Sequence, residues 1–364
     1  MQARSLLGRV LQDPQSALAL DARGWELLVT QARGAALIAR LHSRLEAKGL
    51  LGRVPEAPRW HLEAADFLAR RHAESARSEA SKVLGALRDL GSPVIFLKGA
   101  GYLLAEMPVA RGRLFGDIDI LVPKSFLPNT ESCLMVAGWV STHRNPYDQR
   151  YYRRWMHELP PLEHTSRGTS VDVHHTLFPL TGRLRLDIRP VLQGAVPLPG
   201  WPGAQVLSAH DQILHAAIHL FFGEEFTHGL RDLSDLDMLL RAGSQQEHFW
   251  QNLSLRAEAL GLQRPLYYAV YQCQRQLATP IPERVMSALG VHAPSAPVRA
   301  LMDALFDRVL APPDVDDRGQ ALAKFALFVR GHWLKMPVHL LAYHLGRKML
   351  MADPEQAKVT EKAR

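Results

Sequence analysis

The chain has 364 residues, 47% hydrophobic and 22% charged, which allows two or three globular domains and excludes a disordered or fibrous chain. Two cysteines, Cys133 and Cys273, with no C-x-x-C spacing, exclude a disulfide framework and a cysteine zinc site and fit a reducing, cytoplasmic setting. The net charge of +7 favours polyanions, but no Lys/Arg block or basic-aromatic stripe concentrates it into a nucleic-acid face.

The N-terminal stretch has no continuous apolar core, so no secretory leader is expected. Residues 1 to about 90 read as helical. Trp25, Leu28, Ala32 and Ala36 recur near the helical period, and Asp21 is placed to cap their helix. Gly52, Pro55 and Pro58 mark a boundary near residues 52–60. A second helix is expected from Ala73 to Leu90, ended by Gly91. Val94 to Leu97 is a short apolar run suited to a buried strand, and it breaks at Lys98-Gly99. A helical segment with Tyr102, Leu103, Leu104 and Met107 follows and closes at Pro108. Arg111 and Arg113 then precede a second strand, Asp117 to Val122.

Beyond it, residues 126–137 read as a helix closed by Gly138, and Trp139-Val140 begins a strand. Residues 160–174 read as a hairpin whose second strand carries Asp172, and residues 179–205 as irregular connections. Ser208 and Asp211 form a capping-box-like start for a helix on which His215 and His219 share one face. Polar or core packing is the favoured reading for these two histidines, because no acidic partner lies between them. On the next helix Arg231 and Asp235, four apart, are expected to pair. Residues 246–345 look all-helical, broken at Pro312-Pro313-Asp314, and the charged tail after Asp353 should fray. The longest apolar stretch, 321–345, is interrupted by Lys324, Arg330 and Lys335, so no transmembrane segment is predicted.

Chemistry concentrates between residues 94 and 175. Strand alternation turns Asp117 and Asp119 to one face and Ile118 and Ile120 to the other. Two carboxylates so placed can grip hard cations such as Mg²⁺, which takes carboxylate oxygens together with substrate phosphates. Asp172 offers a third carboxylate from another strand, and His174 shares its face while His175 points away. Three aspartates on two strands, after a Lys-Gly turn, suggest metal-dependent phosphoryl or nucleotidyl transfer.

The series Leu97-Lys98-Gly99, Arg113…Asp117-Ile118-Asp119 and Asp172-Val173-His174-His175 resembles the uncharacterised nucleotidyltransferases, a family of the polymerase-beta type. The resemblance covers about residues 75 to 240. It implies an α+β fold in which a mixed, mostly antiparallel sheet is flanked by an N-terminal helical region and a larger helical domain. The corresponding spans are 1–58, 59–205 for the catalytic domain, 206–352 for the C-terminal helices and 353–364 for the tail. It also implies transfer of a nucleoside monophosphate from a nucleoside triphosphate, ATP among them, to an acceptor hydroxyl that the sequence does not identify. Asp117, Asp119 and Asp172 would hold two Mg²⁺ ions, or Mn²⁺, and Asp172 would also assist removal of the hydroxyl proton. Lys98, Gly99, Arg111, Arg113 and His174 would serve the nucleotide. The best-known members have Gly-Gly or Gly-Ser at the phosphate turn where this chain has Lys-Gly. That departure keeps open a second reading, a nucleotide-binding or regulatory module without turnover.

Overall fold

The computed structural model describes residues 5–143, 145–312 and 318–343. Its first helices are α1 (Leu6–Gln12), α2 (Ala22–Gly34) and α3 (Ile38–Ala47). Asp21 caps α2 as expected, its carboxylate accepting from the Gly24 N–H at 2.8 Å. The next helix, α4 (Glu56–Ala86), runs unbroken for 31 residues, so the expected start at Ala73 is corrected to a point well upstream. Pro55 is its N-cap and Pro58 lies in its first turn, where backbone N–H groups have no intrahelical acceptor and proline loses nothing. The proline cluster therefore begins a helix.

The middle of the chain contributes β1 (Val94–Phe96), α5 (Lys98–Leu104), β2 (Ile118–Leu121), α6 (Leu127–Val136), β3 (Trp139–Ser141) and α7 (Pro146–Trp155). After them come β4 (Leu162–His164), β5 (Ser170–His174), α8 (Arg189–Gln193), β6 (Val196–Pro197) and β7 (Ala204–Val206). The strands form one sheet in the order β3-β4-β5-β2-β1-β7-β6. β1 runs parallel to β7 and β2 parallel to β5, while the other neighbours are antiparallel. Residues 179–205, expected to be irregular, thus hold a short helix and two strands. β7 is three residues long and owes its place to pairing with the distant β1, which no local pattern announces.

The remaining helices are α9 (Ala209–Phe222), α10 (Gly229–Gly243), α11 (Phe249–Ala259), α12 (Gln263–Leu277), α13 (Glu283–Gly290), α14 (Ala296–Val309) and α15 (Arg318–Lys335). Ser208 caps α9, accepting from the Asp211 N–H at 3.2 Å and donating its hydroxyl to Asp211 Oδ2 at 2.9 Å. The architecture is α+β, with a mixed sheet among helices. Pro313 and Asp314 of the expected helix break, and the tail after Asp353, lie outside the described residues. Among the described residues no helix is long and apolar enough to cross a membrane.

Strand alternation divides the interior into two cores. Phe96, Ile118, Ile120, Val171 and Val173 pack with Val83 of α4, Leu134 of α6 and Trp139 on one side of the sheet. Ile95, Leu97 and Leu121 turn the other way and join a core shared by the N-terminal helices (Leu28, Leu41) and the C-terminal ones (Leu214, Leu236, Leu266). Asp119, between Ile118 and Ile120, therefore belongs to the sheet face that looks toward α9 and α10.

Candidate functional site

β2 and β5 lie side by side with Asp119 directly opposite Asp172, and Asp117 stands just before β2 begins. The apolar neighbours of both aspartates are spent on the sheet core, so the carboxylates share the opposite face. One oxygen from each of Asp117, Asp119 and Asp172 lies within 4.8 Å of the others. Three hard oxygen donors at this separation can hold a divalent cation of the Mg²⁺ or Mn²⁺ kind.

The turn after β1 faces this cluster. Lys98 opens α5 in the left-handed region, at φ 42°, a conformation disfavoured for a residue with a side chain. Its ammonium donates to Asp119 Oδ1 at 3.1 Å. At Gly99 a Cβ would overlap the Arg113 Nη1, so the missing side chain is what admits the guanidinium against the turn. Two residues on, a Cβ at Gly101 would lie 2.6 Å from the Phe96 carbonyl oxygen, so α5 sits close to β1 only because that position is also glycine.

Arg113 is itself held from behind. Its Nε donates to Asp235 Oδ2 at 3.0 Å, and Asp235 Oδ1 accepts from Arg40 Nη1 at 2.5 Å. Arg40, 1% exposed, also donates to Ser234 Oγ and to the Val109 carbonyl. The expected Arg231–Asp235 pair is therefore not formed. Asp235 points to Arg40 and Arg113, and Arg231 instead grips its neighbour Asp232 at 2.8 Å.

His174, at the end of β5, is buried and donates from Nε2 to Asp119 Oδ1 at 3.0 Å. Burial raises the Asp119 carboxyl, but Lys98 and His174 outweigh it and hold the group well below the usual carboxylate range. Asp172 goes the other way. Burial, then repulsion from Asp119, Glu158 and Asp117, pushes its carboxyl up to about 7. Burial lowers the imidazole of His174, and the bond to Asp119 with the charge of Glu158 more than reverses this, so it stays basic.

Two joined chambers open around Asp119. The smaller, about 210 Å³, is edged by Lys98, Gly99, Arg113 and Arg231. The larger, about 510 Å³, contains Asp172, His174, His157, Glu158 and His215. Lys98, Asp117, Asp119 and His219 border both. Of the residues singled out in the sequence, Asp117, Asp119, Asp172, Lys98, Gly99, Arg113 and His174 thus meet in one cleft. Arg111 does not: it is exposed and borders neither chamber. His215 and His219 both border the cleft from α9, on the helical face they share, with His215 buried. His175 lies outside the cleft lining, as its strand parity predicts. His157, Glu158 and Arg40 gave no signal. The first two sit in an irregular segment, and Arg40 interrupts an apolar helix face far away in sequence.

No curated protein and no solved structure matches the chain. A family model described as uncharacterised nucleotidyltransferase matches residues 21–278, from α2 to the end of α12, and the chain belongs to that family.

Proposed function

We propose that this protein transfers a nucleoside monophosphate from a nucleoside triphosphate to a hydroxyl acceptor, using Mg²⁺ or Mn²⁺ held by Asp117, Asp119 and Asp172. The observation that carries the reading is the in-register pair Asp119 and Asp172 on adjacent parallel strands, facing the Lys98-Gly99 turn. A divalent pair bound there supplies charge neutralisation to the attacking and leaving oxygens. The chain's own residues supply the rest. The triphosphate lies along the smaller chamber, where Gly99 allows close approach and Lys98 and Arg113 offset its charge. The acceptor enters the larger chamber, beside Asp172. Its hydroxyl oxygen bonds to the α-phosphorus, the bond from that phosphorus to the bridging oxygen breaks, and pyrophosphate leaves. Asp172, beside the acceptor's chamber, takes the hydroxyl proton. Residues 59–205 form the catalytic unit in this scheme. The helices on either side, α3 and α10 among them, brace it, Arg40 and Asp235 holding Arg113 in place.

A thermal-shift screen of the four nucleoside triphosphates with Mg²⁺, followed by mass spectrometry of the products, tests the proposal. The wild type should be stabilised by at least one triphosphate and should yield pyrophosphate with a product heavier by one nucleotidyl group. Asp119→Ala should fold and lose both responses. A Mg²⁺-dependent nucleotide shift of wild-type size in Asp119→Ala would sink the proposal, and binding without any product would make the protein the silent nucleotide-binding module.

A further inference from the structure

Beside the three aspartates stands a second group of donors with different chemistry. His157, Glu158 and His174 each offer one ligand atom, and these atoms lie within 4.8 Å of one another. His174 Nδ1 is 3.5 Å from Glu158 Oε2, and His157 Nε2 is 3.6 Å from the same oxygen. Ligands about 2.0–2.1 Å from a tetrahedral ion are separated from each other by roughly 3.3–3.4 Å, so the two distances to Glu158 are within a few tenths of an ångström of that spacing, and the two histidines lie within 4.8 Å of each other. His174 is 2% exposed, and its Nδ1 is buried with no hydrogen-bond partner. A buried nitrogen left without a partner is costly unless something fills its lone pair or takes its proton.

The backbone pre-organises the group. Glu158 bridges His174 across an antiparallel pair, the Leu159 N–H donates to the Val173 carbonyl at 2.9 Å, and the His175 N–H donates to the His157 carbonyl at 2.9 Å. The other nitrogen of His174 already donates to Asp119. A carboxylate that accepts from one imidazole nitrogen fixes the tautomer that presents the other to a metal. Two imidazoles and one carboxylate suit zinc-class ions, unlike the all-oxygen donor set next to them.

We infer that His157, Glu158 and His174 form a second metal site, selective for a zinc-class ion and separate from the aspartate cluster. Its fourth position opens on the larger chamber that all three residues border. Through His174 the ion is linked to Asp119, so its occupancy sets how firmly Asp119 is held.

The probe is Co²⁺, titrated into the full chain and followed by visible ligand-field absorption. One equivalent should develop the intense bands of a four-coordinate site, which Zn²⁺ displaces and excess Mg²⁺ does not. His157→Gln, with its folded content checked by circular dichroism, should lose the bands and at least tenfold in Zn²⁺ affinity. Asp117→Asn should keep both. Glu158→Gln provides the same reading should His157→Gln fail to fold. Only weak six-coordinate absorption, bands that survive both His157→Gln and Glu158→Gln, or bands abolished by Asp117→Asn would each overturn the inference.

Discussion

Asp235 and Asp119 are both buried carboxylates bordering the same cleft, and they are neutralised in opposite ways. Each oxygen of Asp235 has its own arginine, Arg40 on Oδ1 and Arg113 on Oδ2, and cations outnumber it. At Asp119 both partners, Lys98 and His174, converge on Oδ1, while Asp117, Asp172 and Glu158 crowd the surroundings with further negative charge. The first arrangement ties α3, the segment before β2 and α10 together and leaves a surplus of positive charge, with Arg113 held against the Gly99 turn. The second has surplus anions facing an open cleft, which is the condition for recruiting cations. A carboxylate outnumbered by its cations marks the brace here, and carboxylates that outnumber their cations mark the cation site.

The comparison predicts unequal responses to removing each acid. Asp235→Ala strands two buried guanidinium groups, and loss of one partner of a buried ion pair costs about 3–5 kcal/mol. Its unfolding midpoint in urea should fall accordingly, and Arg113 should lose its position. A loss under 1 kcal/mol would show that solvent or neighbouring acids replace Asp235.

Asp172→Asn should do the reverse to stability. The folded-state carboxyl is raised from 3.8 to about 7, so the folded protein holds its proton more tightly than the unfolded chain does. That contribution is complete below about pH 4 and is lost as pH climbs through 7. Without metal, Asp172→Asn should therefore match the wild type near pH 4. At pH 8 it should exceed the wild type by roughly 1–2 kcal/mol, the full shift being discounted for partial solvent access. Nucleotide affinity should largely persist, while turnover falls about 10²–10⁴-fold with the loss of the base. Equal stabilities across that pH range would show Asp172 to be uncrowded.

Gly99→Val tests the joint between the two clusters. The added side chain must displace Arg113 from the turn, at a cost of about 1–3 kcal/mol for overpacking. Triphosphate affinity measured by calorimetry should drop roughly tenfold, the size of one lost charged contact. Unchanged affinity would remove both Gly99 and Arg113 from the phosphate path.

Much of this was legible locally. Alternation in Asp117-Ile118-Asp119-Ile120 fixed which side chains face the cleft, and the same parity separated His174 from His175. The chain-distant half was not. Nothing in the sequence around Arg40 says that it meets Asp235, because the pairing is made by the packing of α3 on α10. Glu158 and His157 owe their place to backbone bridges with β5, and β7 to a parallel partner more than a hundred residues away. The i,i+4 rule named Arg231 and Asp235 as partners; instead two arginines from elsewhere take both oxygens of that carboxylate, and Arg231 pairs with Asp232.

The smallest effect belongs to Lys98, which belongs to the open cluster and is partly exposed. Its ammonium sits on Asp119, and in the proposed reaction it turns to the triphosphate instead. Lys98→Ala should weaken triphosphate binding a few-fold at low salt, about 0.2–1 kcal/mol for an exposed charge contact. The deficit should shrink as salt rises, because screening erases the same contact in the wild type. The backbone needs separate control, since alanine keeps the disfavoured left-handed conformation at φ 42°. Lys98→Gly removes the charge and relieves that strain together, so it should bind triphosphate as Lys98→Ala does while unfolding about 1 kcal/mol later. Calorimetric titrations of both variants at two salt concentrations decide between roles. Wild-type affinity at low salt in both would leave Lys98 as a partner of Asp119 alone, and the phosphate charge would then fall to Arg113, whose bond to Asp235 already aims it at the turn.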